Sequence, residues 1–398
     1  MLSELNQINL SGWKNDPNVS IKVAEVIENA SWKKSPFESI TGRGSDRAIR
    51  TYVVNDSAPY RPRLKSQLSG SGVVGNSDFD SNLDNLEILS QTIYPRVVGN
   101  SLKSEISAYS ALKHTDFIKE ASDSLTEWLT QNRDREIICA LSNDFTNAVV
   151  CDNTSESNSE GYRLAKNAKE SITDLTKEIT AKDTMSLKAL RRAIFQARSG
   201  EKYNKTKAFP IKPVRSDMIS TQGITIQHTS YLIFLDSYQI NQLKADPEYQ
   251  DLQKYAGIRG EENALFTGIV GMVDNCPIID LGTWTDVNVG LLNSEVSDSE
   301  FNNHINKQNV TKVTPPSVYK GKDNQAVSIG MLVGASACVL VGSQKISFYI
   351  NENEDAGRKT LCGIDSIRGI AKARYVGEES SPYNNSDYSV IGLFSAKV

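Results

Sequence analysis

Residues 231–280 constrain the fold of this chain more than any other stretch, because they contain a strand, two helices and the boundaries between them. The apolar run YLIFL at 231–235 has the length and the β-branched or aromatic content of a buried strand, and Asp236 after it is a good helix N-cap. The helix that follows should end just before Pro247, which is suited to the first position of a second helix. Gly257 is expected to stop that second helix, before the strand-like segment CPIIDL. No acid, base or nucleophile in this span has a partner at catalytic spacing, so the stretch predicts architecture rather than chemistry.

Length and composition indicate a folded protein with more than one substructure. The chain has 398 residues, which exceeds a typical single core, so two or three substructures are expected. Hydrophobic residues make up 39% and charged residues 23%, which excludes a disordered chain. The formal net charge is -4, so any contact with nucleic acid would have to be local and weak.

The cysteines and the longest apolar run indicate an interior without disulfides or membrane spans. The five cysteines are odd in number, scattered and without a C-x-x-C pair, so we expect reduced interior residues. The N-terminus MLSELNQINLSGWKND lacks the basic start and apolar core of a signal peptide, which favours folding in a cytoplasm. The apolar run at 329–342 is too short and too rich in Gly, Ala and Ser to cross a bilayer, and it predicts a buried strand.

The first hundred residues read as an arm followed by an extended ribbon. Residues 1–44 mix short helical stretches with turn residues and lack a strong core pattern, which is typical of an arm. Strand patterns at 48–54, 60–68 and 91–98 surround a middle segment rich in Gly, Ser and Asp, which predicts a long two-stranded extension over 45–109. Two strands cannot bury a face in water, so this ribbon should rest on another surface.

The two halves of the ribbon carry opposite charge. Candidate contact residues are the basic Arg61, Arg63 and Lys65 and the acidic Asp78, Asp80 and Asp84. These charges can pair across the strands of one chain, or they can dock on a complementary neighbouring chain. The sequence leaves both interpretations open.

Two helices stand out in the next part of the chain. Residues 115–141 form the strongest helix pattern, with Ile118, Ala121, Leu125, Trp128 and Leu129 in one apolar stripe. A second helix is predicted over 185–199. Its basic residues are candidates for contact with DNA or with acidic groups of the same or a neighbouring chain; they are Lys188, Arg191, Arg192 and Arg198.

Several motifs of enzymes and metal sites are absent or accidental. GSGVVG at 70–75 matches the spelling of a dinucleotide-binding loop, but no βαβ pattern surrounds it, and the tip of a ribbon accounts for its glycines. The three histidines, His114, His228 and His304, are isolated and have no metal-ligand spacing. No nucleophile elbow or catalytic pair of carboxylates is found, so we predict no catalytic residue, no metal and no cofactor.

The chain ends in the apolar segment YSVIGLFSAKV at 388–398. A terminal strand of this kind is normally held within a sheet. Removing the last ten residues is therefore expected to give insoluble protein.

Three groups of motifs carry a resemblance to a known family. The first comprises the YLIFL strand, the LKADPEYQ helix junction, the RGEENALFTG turn and the PII strand. The second comprises RLKSQLSGSGVVGNSDFDSNLDNLEIL and the later SLTEWL, and the third GRKTLCGIDSIRGIAKARY and DYSVIGLFSAKV. In this order they resemble the major capsid proteins of short-tailed phages related to the coliphage that carries an RNA polymerase in its virion. The sequence departs from the family pattern at Ala264 and in a polar tract at 152–160.

This resemblance implies an α+β fold of the HK97-like major capsid type. It implies an N-terminal arm (1–44), an extended β loop (45–109), a peripheral domain (110–215 and 343–398) built on a spine helix (115–141), and an axial domain (216–342). Such a protein assembles with itself into pentamers and hexamers of an icosahedral head around double-stranded DNA, which it contacts nonspecifically. The implied partners are scaffolding, portal and decoration or cement proteins, with no membrane, and the implied location is the virion after assembly in the host cytoplasm.

Two alternatives remain at this point. A cellular nanocompartment shell with the same fold would capture a cargo enzyme and need no portal or scaffold. A nucleotide-binding enzyme is supported only by GSGVVG.

Overall fold

Two β-sheets, each packed against helices, organise the chain. The computed structural model describes residues 17–54, 60–61, 63–65, 73, 75, 88–90, 93, 95–104, 114–142, 144–154, 160–206, 209–219, 225–256, 269–282, 319–342, 346–354, 356, 358–375 and 386–398. The helices in this part of the chain are α1 (Pro17–Lys34), α2 (His114–Ser142), α3 (Ile172–Thr176), α4 (Leu187–Ser199), α5 (Ser237–Ala245) and α6 (Pro247–Ala256). Short 3-10 helices span Glu38–Ile40 and Lys322–Asn324.

The strands are numbered in chain order. Those before α4 are β1 (Thr41–Gly42), β2 (Ile49–Val53), β3 (Arg63–Lys65), β4 (Ile88–Ser90), β5 (Arg96–Lys103), β6 (Ala148–Cys151) and β7 (Tyr162–Arg163). Those after it are β8 (Val214–Ile219), β9 (Thr225–Ser230), β10 (Leu232–Leu235), β11 (Ile269–Val273), β12 (Cys276–Asp280), β13 (Val327–Val333), β14 (Cys338–Gly342), β15 (Ser347–Glu354), β16 (Lys359–Lys372) and β17 (Val390–Ala396).

The larger sheet has apolar side chains on both faces. In the described residues it contains seven strands in the order β11-β12-β10-β13-β17-β6-β7. One face packs with α4, α5 and α6, through residues such as Ile233 and Leu393. The other face packs with the C-terminal part of α2, through residues such as Phe234 and Phe394. Because both faces are covered, β10, β13 and β17 are buried along their whole length, as continuous apolar strands should be.

The smaller sheet has one face covered by helices. Its described strands follow the order β1-β2-β14-β16-β15, and β5 pairs with the other side of β16. Its inner face includes Phe348, Cys362 and Ile364, which pack with α1 and α2. The apolar stripe of α2 that the sequence predicts faces this side: Ile118, Ala121, Leu125 and Leu129 are buried and Trp128 is half-buried. The long helix predicted over 115–141 is therefore confirmed, with His114 and Ser142 as its ends.

The boundaries predicted at Asp236 and Pro247 are confirmed, whereas the helix stop predicted at Gly257 lies outside the described residues. Asp236 caps α5, because its carboxylate accepts a hydrogen bond from the backbone N–H of Gln239 at 2.8 Å. Pro247 occupies the first position of α6. The turn at 257–268 lies outside the described residues.

Three expectations from the sequence differ from the structure. The run at 329–342 is buried but forms two strands in different sheets, β13 and β14, because the chain crosses between the sheets at 334–337. Residues 17–44 are not without a core, because α1 buries Val23 and Ile27 against α2. The ribbon is shorter than predicted, because β2 and β5, both placed in it, lie in the smaller sheet instead.

The two sheets also group the chain differently from the predicted domains. The C-terminal strand β17, which the resemblance assigned with the spine helix, lies in the larger sheet between β13 and β6. Strand β14, assigned to the axial part, lies in the smaller sheet beside β2 and β16. Sequence order alone could not show this, because each sheet takes strands from distant parts of the chain.

A buried cluster of charges lies where the chain passes between the sheets. Lys372 is the last residue of β16, Arg374 lies two residues beyond it, Asp387 precedes β17, and all three side chains are 1% exposed. Asp387 Oδ1 lies 2.9 Å from Lys372 Nζ and 3.1 Å from Arg374 Nε. Arg374 also donates to the backbone carbonyl and the carboxylate of Asp144, which lies between α2 and β6. The cluster thus joins both ends of the connection between β16 and β17 to the connection between α2 and β6.

A close approach between α5 and β13 makes Gly330 a sensitive position. Gln239 Nε2 donates to the carbonyls of Ser328 and Leu393, each at 3.1 Å, which fastens α5 onto β13 and β17. A Cβ on Gly330 would collide with Gln239 Oε1 and would lie 2.8 Å from the backbone oxygen of Phe234.

Gly330→Ala is therefore expected to lower the free energy of unfolding by about 1 to 3 kcal/mol, as overpacking does. Chemical denaturation of the full chain measures this. Gly363→Ala is the matched control, because the nearest atom to its new Cβ is 3.6 Å away. Equal stability of the two variants would contradict the close approach.

Candidate functional surfaces

The root of the ribbon is anchored in the smaller sheet. Tyr60 and Ile93 form an isolated bridge with N···O distances of 2.8 Å in both directions. Ile93 is fully buried in a cluster with Val339 and Val341, and the Tyr60 ring lies 4.8 Å from that of Tyr52. The ribbon therefore leaves the sheet from a fixed position.

Only part of the predicted charge pattern on the ribbon falls on described residues. Beyond the root, β3 and β4 pair antiparallel, with Arg63 opposite Ser90 and Lys65 opposite Ile88. Arg61 is exposed. The side chains of Arg63 and Lys65 lie outside the described part of the structure, as do Asp78, Asp80 and Asp84. Their role stays a prediction.

The basic residues of α4 lie in one stripe of the helix, in which Lys188, Arg191 and Arg198 are exposed and the side chain of Arg192 is 11% exposed. Acidic residues of the same chain flank this stripe. Lys188 Nζ lies 3.2 Å from Glu248, Arg191 Nε lies 3.8 Å from Asp274, and Arg192 lies 2.5 Å from Glu201. Arg198 donates to the carbonyl of Asp274 at 3.5 Å.

These ion pairs reduce the net positive charge of the α4 stripe. Three carboxylates compensate four cations, so the stripe is not a concentrated phosphate-binding surface of the kind that gains affinity by counterion release. Phe195 lies in the middle of the stripe and is 49% exposed. An exposed aromatic ring among paired charges is a composition found at contacts between proteins.

The outer face of the smaller sheet is a surface that the sequence patterns did not identify. Side chains that alternate with the buried ones point away from α2, and among them Tyr349 of β15 is 53% exposed and Val97 of β5 is 63% exposed. Between these two strands, Gly363 of β16 pairs with Tyr349 on one side and Ser101 on the other. Toward β14 this face is covered, because Ile93 packs there against Val339 and Val341, but in the described part of the chain Tyr349 and Val97 stay exposed. The alternation within β5 and β15 was the available signal, but it does not reveal which face is covered.

A polar cleft lies among the described residues, and two of its side chains make structural contacts. The cleft has a volume of about 540 Å³ and lies between α4, α5 and the C-terminus. Gln242 Oε1 accepts from the backbone N–H of Met185 at 2.9 Å, and Asp246 Oδ2 accepts from that of Leu187 at 2.7 Å. These bonds attach α5 to the start of α4.

Three further observations concern metal sites, cysteine thiols and membrane-spanning helices. Among the described residues, no group of three or more His, Cys, Asp and Glu side chains is arranged to hold a metal ion. Each of the five cysteines is a buried thiol, as predicted, and burial raises the pKa of Cys139, Cys151, Cys338 and Cys362 to about 12. No helix within the described ranges combines the length and apolar character needed to cross a membrane.

Comparison with known proteins gives a consistent result. Residues 60–398 match the family described as phage capsid protein. The chain is 47% identical over 409 residues to the major structural protein ORF14 of Helicobacter pylori bacteriophage KHP30, covering 99% of each chain. It superposes on a chain in the head structure of Helicobacter pylori bacteriophage KHP40 with a TM-score of 0.70 and 46% identity, over the full length of both. The capsid of Ralstonia phage GP4 is similar in fold, with a TM-score of 0.60 at 18% identity and 92% coverage of both chains.

Proposed function

The chain belongs to the phage capsid protein family, and from this premise we propose how it builds a phage head. Its fold is α+β of the HK97-like capsid type, and it is a major structural protein of the phage virion. The observation that carries this conclusion is 46% identity over the full length to a chain in a phage head structure. The nanocompartment and nucleotide-binding alternatives are not favoured, since these relatives are structural proteins of phage heads.

The proposed assembly follows from repeated contacts between identical chains. Head-to-tail contacts close into rings when the rotation between neighbours divides a full turn, so one chain can make both pentamers and hexamers if its contacts adjust. We propose that these rings tile an icosahedral head around double-stranded DNA. A total buried area of about 1,600 Å² per contact is ample for specific association, and each chain in a shell touches several neighbours.

We infer that the two sheets correspond to the two domains of the capsid fold. The smaller sheet with α1 and α2 fits the peripheral domain, and the larger sheet with α4, α5 and α6 fits the axial domain. This assignment moves β17 to the axial domain. Residues 1–16 and the segment between β3 and β4 would supply the arm and the loop that reach neighbouring chains.

We propose that the ribbon docks on a neighbouring copy and that its charges contribute to the contact. The support is that a two-stranded ribbon cannot bury a face by itself. An uncovered sheet face such as that of Tyr349 and Val97 is a surface of suitable shape for it.

Reversing the charge of Arg61 and Arg63 to Glu is therefore expected to reduce shell yield at least several-fold while the free chain stays folded, because like charges then face each other. Sedimentation of assembled shells and circular dichroism of the free chain measure the two effects. Lys169→Glu with Lys182→Glu is the matched control, because both of these lysines are exposed on the larger-sheet side. Unchanged assembly of the Arg61 and Arg63 variant would remove these charges from the contact.

The remaining partners are proposed from the same premise. They are a scaffolding protein during assembly, a portal at one vertex, decoration or cement proteins outside, and packaged DNA in nonspecific contact. We propose no enzymatic activity for the chain.

Electron microscopy of the purified chain, paired with light scattering across protein concentration and salt, tests the assembly proposal. Rings of five or six, tubes or closed shells are expected, with or without a coexpressed scaffold. A strictly monomeric chain under every condition, scaffold included, would contradict it.

A further inference from the structure

Helix α1 is held in place by its contacts with a few neighbouring elements. In the described part of the chain it packs on α2, on β15 and on the 3-10 helix that follows it. Val23, Ala24 and Ile27 form the apolar part of this contact, together with Leu125 of α2. The contact of α1 with α2 joins residues about 100 positions apart in sequence, and local opening of such a contact is the motion that hydrogen exchange measures.

The C-terminal half of α1 meets α2 through polar groups. Arg133 of α2 is buried, and its guanidinium donates to the carbonyl of Ser31 at 3.0 Å and to Ser31 Oγ at 3.1 Å. Ser35 Oγ donates to Asp134 Oδ1 at 2.6 Å. Glu28 lies one helical turn before Ser31 and is half-buried. Two carboxyl groups thus lie within a helix contact that also buries an arginine.

We propose that this contact is an acid-strengthened latch, in which proton uptake by Glu28 and Asp134 below neutral pH tightens the docking of α1 on α2.

The direction follows from the environment of the two carboxyl groups. Burial raises the pKa of Glu28 from 4.5 to about 7, which the charge of Arg133 only partly opposes. Burial likewise raises the pKa of Asp134 from 3.8 to about 6, against the hydrogen bond from Ser35 and the charge of Arg133. Both pKa values are higher when α1 is docked than when the groups are in water. The docked state therefore binds protons more tightly, and docking gains stability as the pH falls from about 7 toward the ordinary pKa values.

The other charges at this contact do not reverse that direction. Arg133 on α2 faces both carboxyl groups and Glu25 on α1 faces Glu28, whereas Glu136 on α2 and Arg368 on β16 face Arg133. Burial lowers the pKa of Arg133 to about 10, so it stays charged throughout the window. Glu136 remains bound to Arg368 at 2.8 Å. The charged residues of β15, Glu352 and Glu354, have side chains outside the described part.

Hydrogen exchange of the full-length, unassembled chain tests the latch. Protection factors of the α1 amides, which correct for the intrinsic pH dependence of exchange, are compared at pH 7.5 and pH 5.5. For wild type they are expected to rise about tenfold or more on acidification, since each proton taken up contributes up to about tenfold per pH unit. Protection that stays constant or falls at pH 5.5 would overturn the proposal.

Variants that replace a carboxyl group by an amide identify which groups take up the protons. Glu28→Gln is expected to protect α1 at pH 7.5 nearly as well as wild type does at pH 5.5. Glu28→Gln with Asp134→Asn should remove the pH dependence, and the amide oxygen introduced at position 134 retains an acceptor for Ser35. Glu120→Gln, on the exposed face of α2, is the matched control and should behave as wild type. A double variant that keeps the wild-type pH dependence would assign the effect to other groups and refute the latch.

This inference does not depend on the proposed head assembly, because it is measured on the free chain. A chain that never assembles can still show the latch, and a chain that assembles normally can lack it.

Discussion

Deleting residues 389–398 is expected to leave the chain unable to fold, with the whole product in the insoluble fraction. The deletion removes all of β17, which lies inside the larger sheet. Its backbone pairs antiparallel with β13 from Val327 to Val333 and parallel with β6 from Ala148 to Val150. Both neighbours would lose a hydrogen-bonding partner at once, and β6 and β7 would be cut off from the rest of the sheet.

The loss of apolar burial is larger still. Val390 and Phe394 point into the core shared with α2, whereas Ile391 and Leu393 point into the core shared with α4 and α5. Truncating a single buried side chain of this size to Ala removes about 2 to 5 kcal/mol. Four such losses together, about 8 to 20 kcal/mol, are as large as or larger than the net stability of an ordinary domain, about 5 to 15 kcal/mol.

Solubility after expression, followed by circular dichroism of any soluble protein, measures this effect. Deletion of Val398 alone is the control, because that side chain is 64% exposed and lies beyond β17. A soluble, cooperatively unfolding product of the ten-residue deletion would show that β17 is dispensable and that its position in the sheet is wrong.

Asp387→Asn is expected to produce the largest effect of any single isosteric substitution. The change removes the carboxylate that neutralises Lys372 and Arg374 while keeping its shape. Two cations with 1% exposed side chains would then lose the buried carboxylate between them, while the carboxylate of Asp144, on the other side of Arg374, is 37% exposed. Removing one partner from a buried ion pair lowers stability by about 3 to 5 kcal/mol, because an uncompensated charge stays buried.

The pH dependence of this variant distinguishes a charge effect from a packing effect. Burial lowers the pKa of Lys372 to about 8 in the folded chain, against 10.5 in water, although Asp387 opposes the shift. Between these two values the unfolded chain binds more protons, so the contribution of Lys372 to stability increases as the pH rises. Without the carboxylate, Lys372 should lose its proton at still lower pH. The destabilisation by Asp387→Asn should therefore shrink between pH 7 and pH 9.5, with a remainder from Arg374.

Chemical denaturation at several pH values tests both parts. Glu248→Gln makes the same chemical change in an exposed pair with Lys188 and should alter stability by no more than about 1 kcal/mol. A penalty for Asp387→Asn that is equally small, or that is constant across the pH range, would mean that the buried cluster is not held together by this charge.

Local patterns in the sequence were sufficient where neighbouring residues determine structure. The N-cap at Asp236, the helix start at Pro247 and the apolar stripe from Ile118 to Leu129 all follow from periodicities and capping rules that act within one or two turns. The resemblance of spaced motifs to phage capsid proteins identified the fold type, which the full-length relatives confirm.

Sequence patterns identified the candidate contact residues only in part. The basic character of Lys188, Arg191, Arg192 and Arg198 is evident in the sequence, but their acidic partners Glu248, Asp274 and Glu201 come from three other places along the chain. The outer face at Tyr349 and Val97 depends on which side of the smaller sheet α2 covers, and no single strand contains that information.

The sequence by itself therefore determined α2, α4, α5 and α6, most buried strands and the family of this protein, because these depend on short-range periodicity and on motifs in a fixed order. Only the tertiary structure decided that the run at 329–342 divides between two sheets and that β17 joins β13 and β6. It alone brought Lys372, Arg374, Asp387 and Asp144 into one buried cluster. Strand pairing and charge burial depend on contacts between residues far apart in the chain. Each such contact is stable only when the rest of the core has formed.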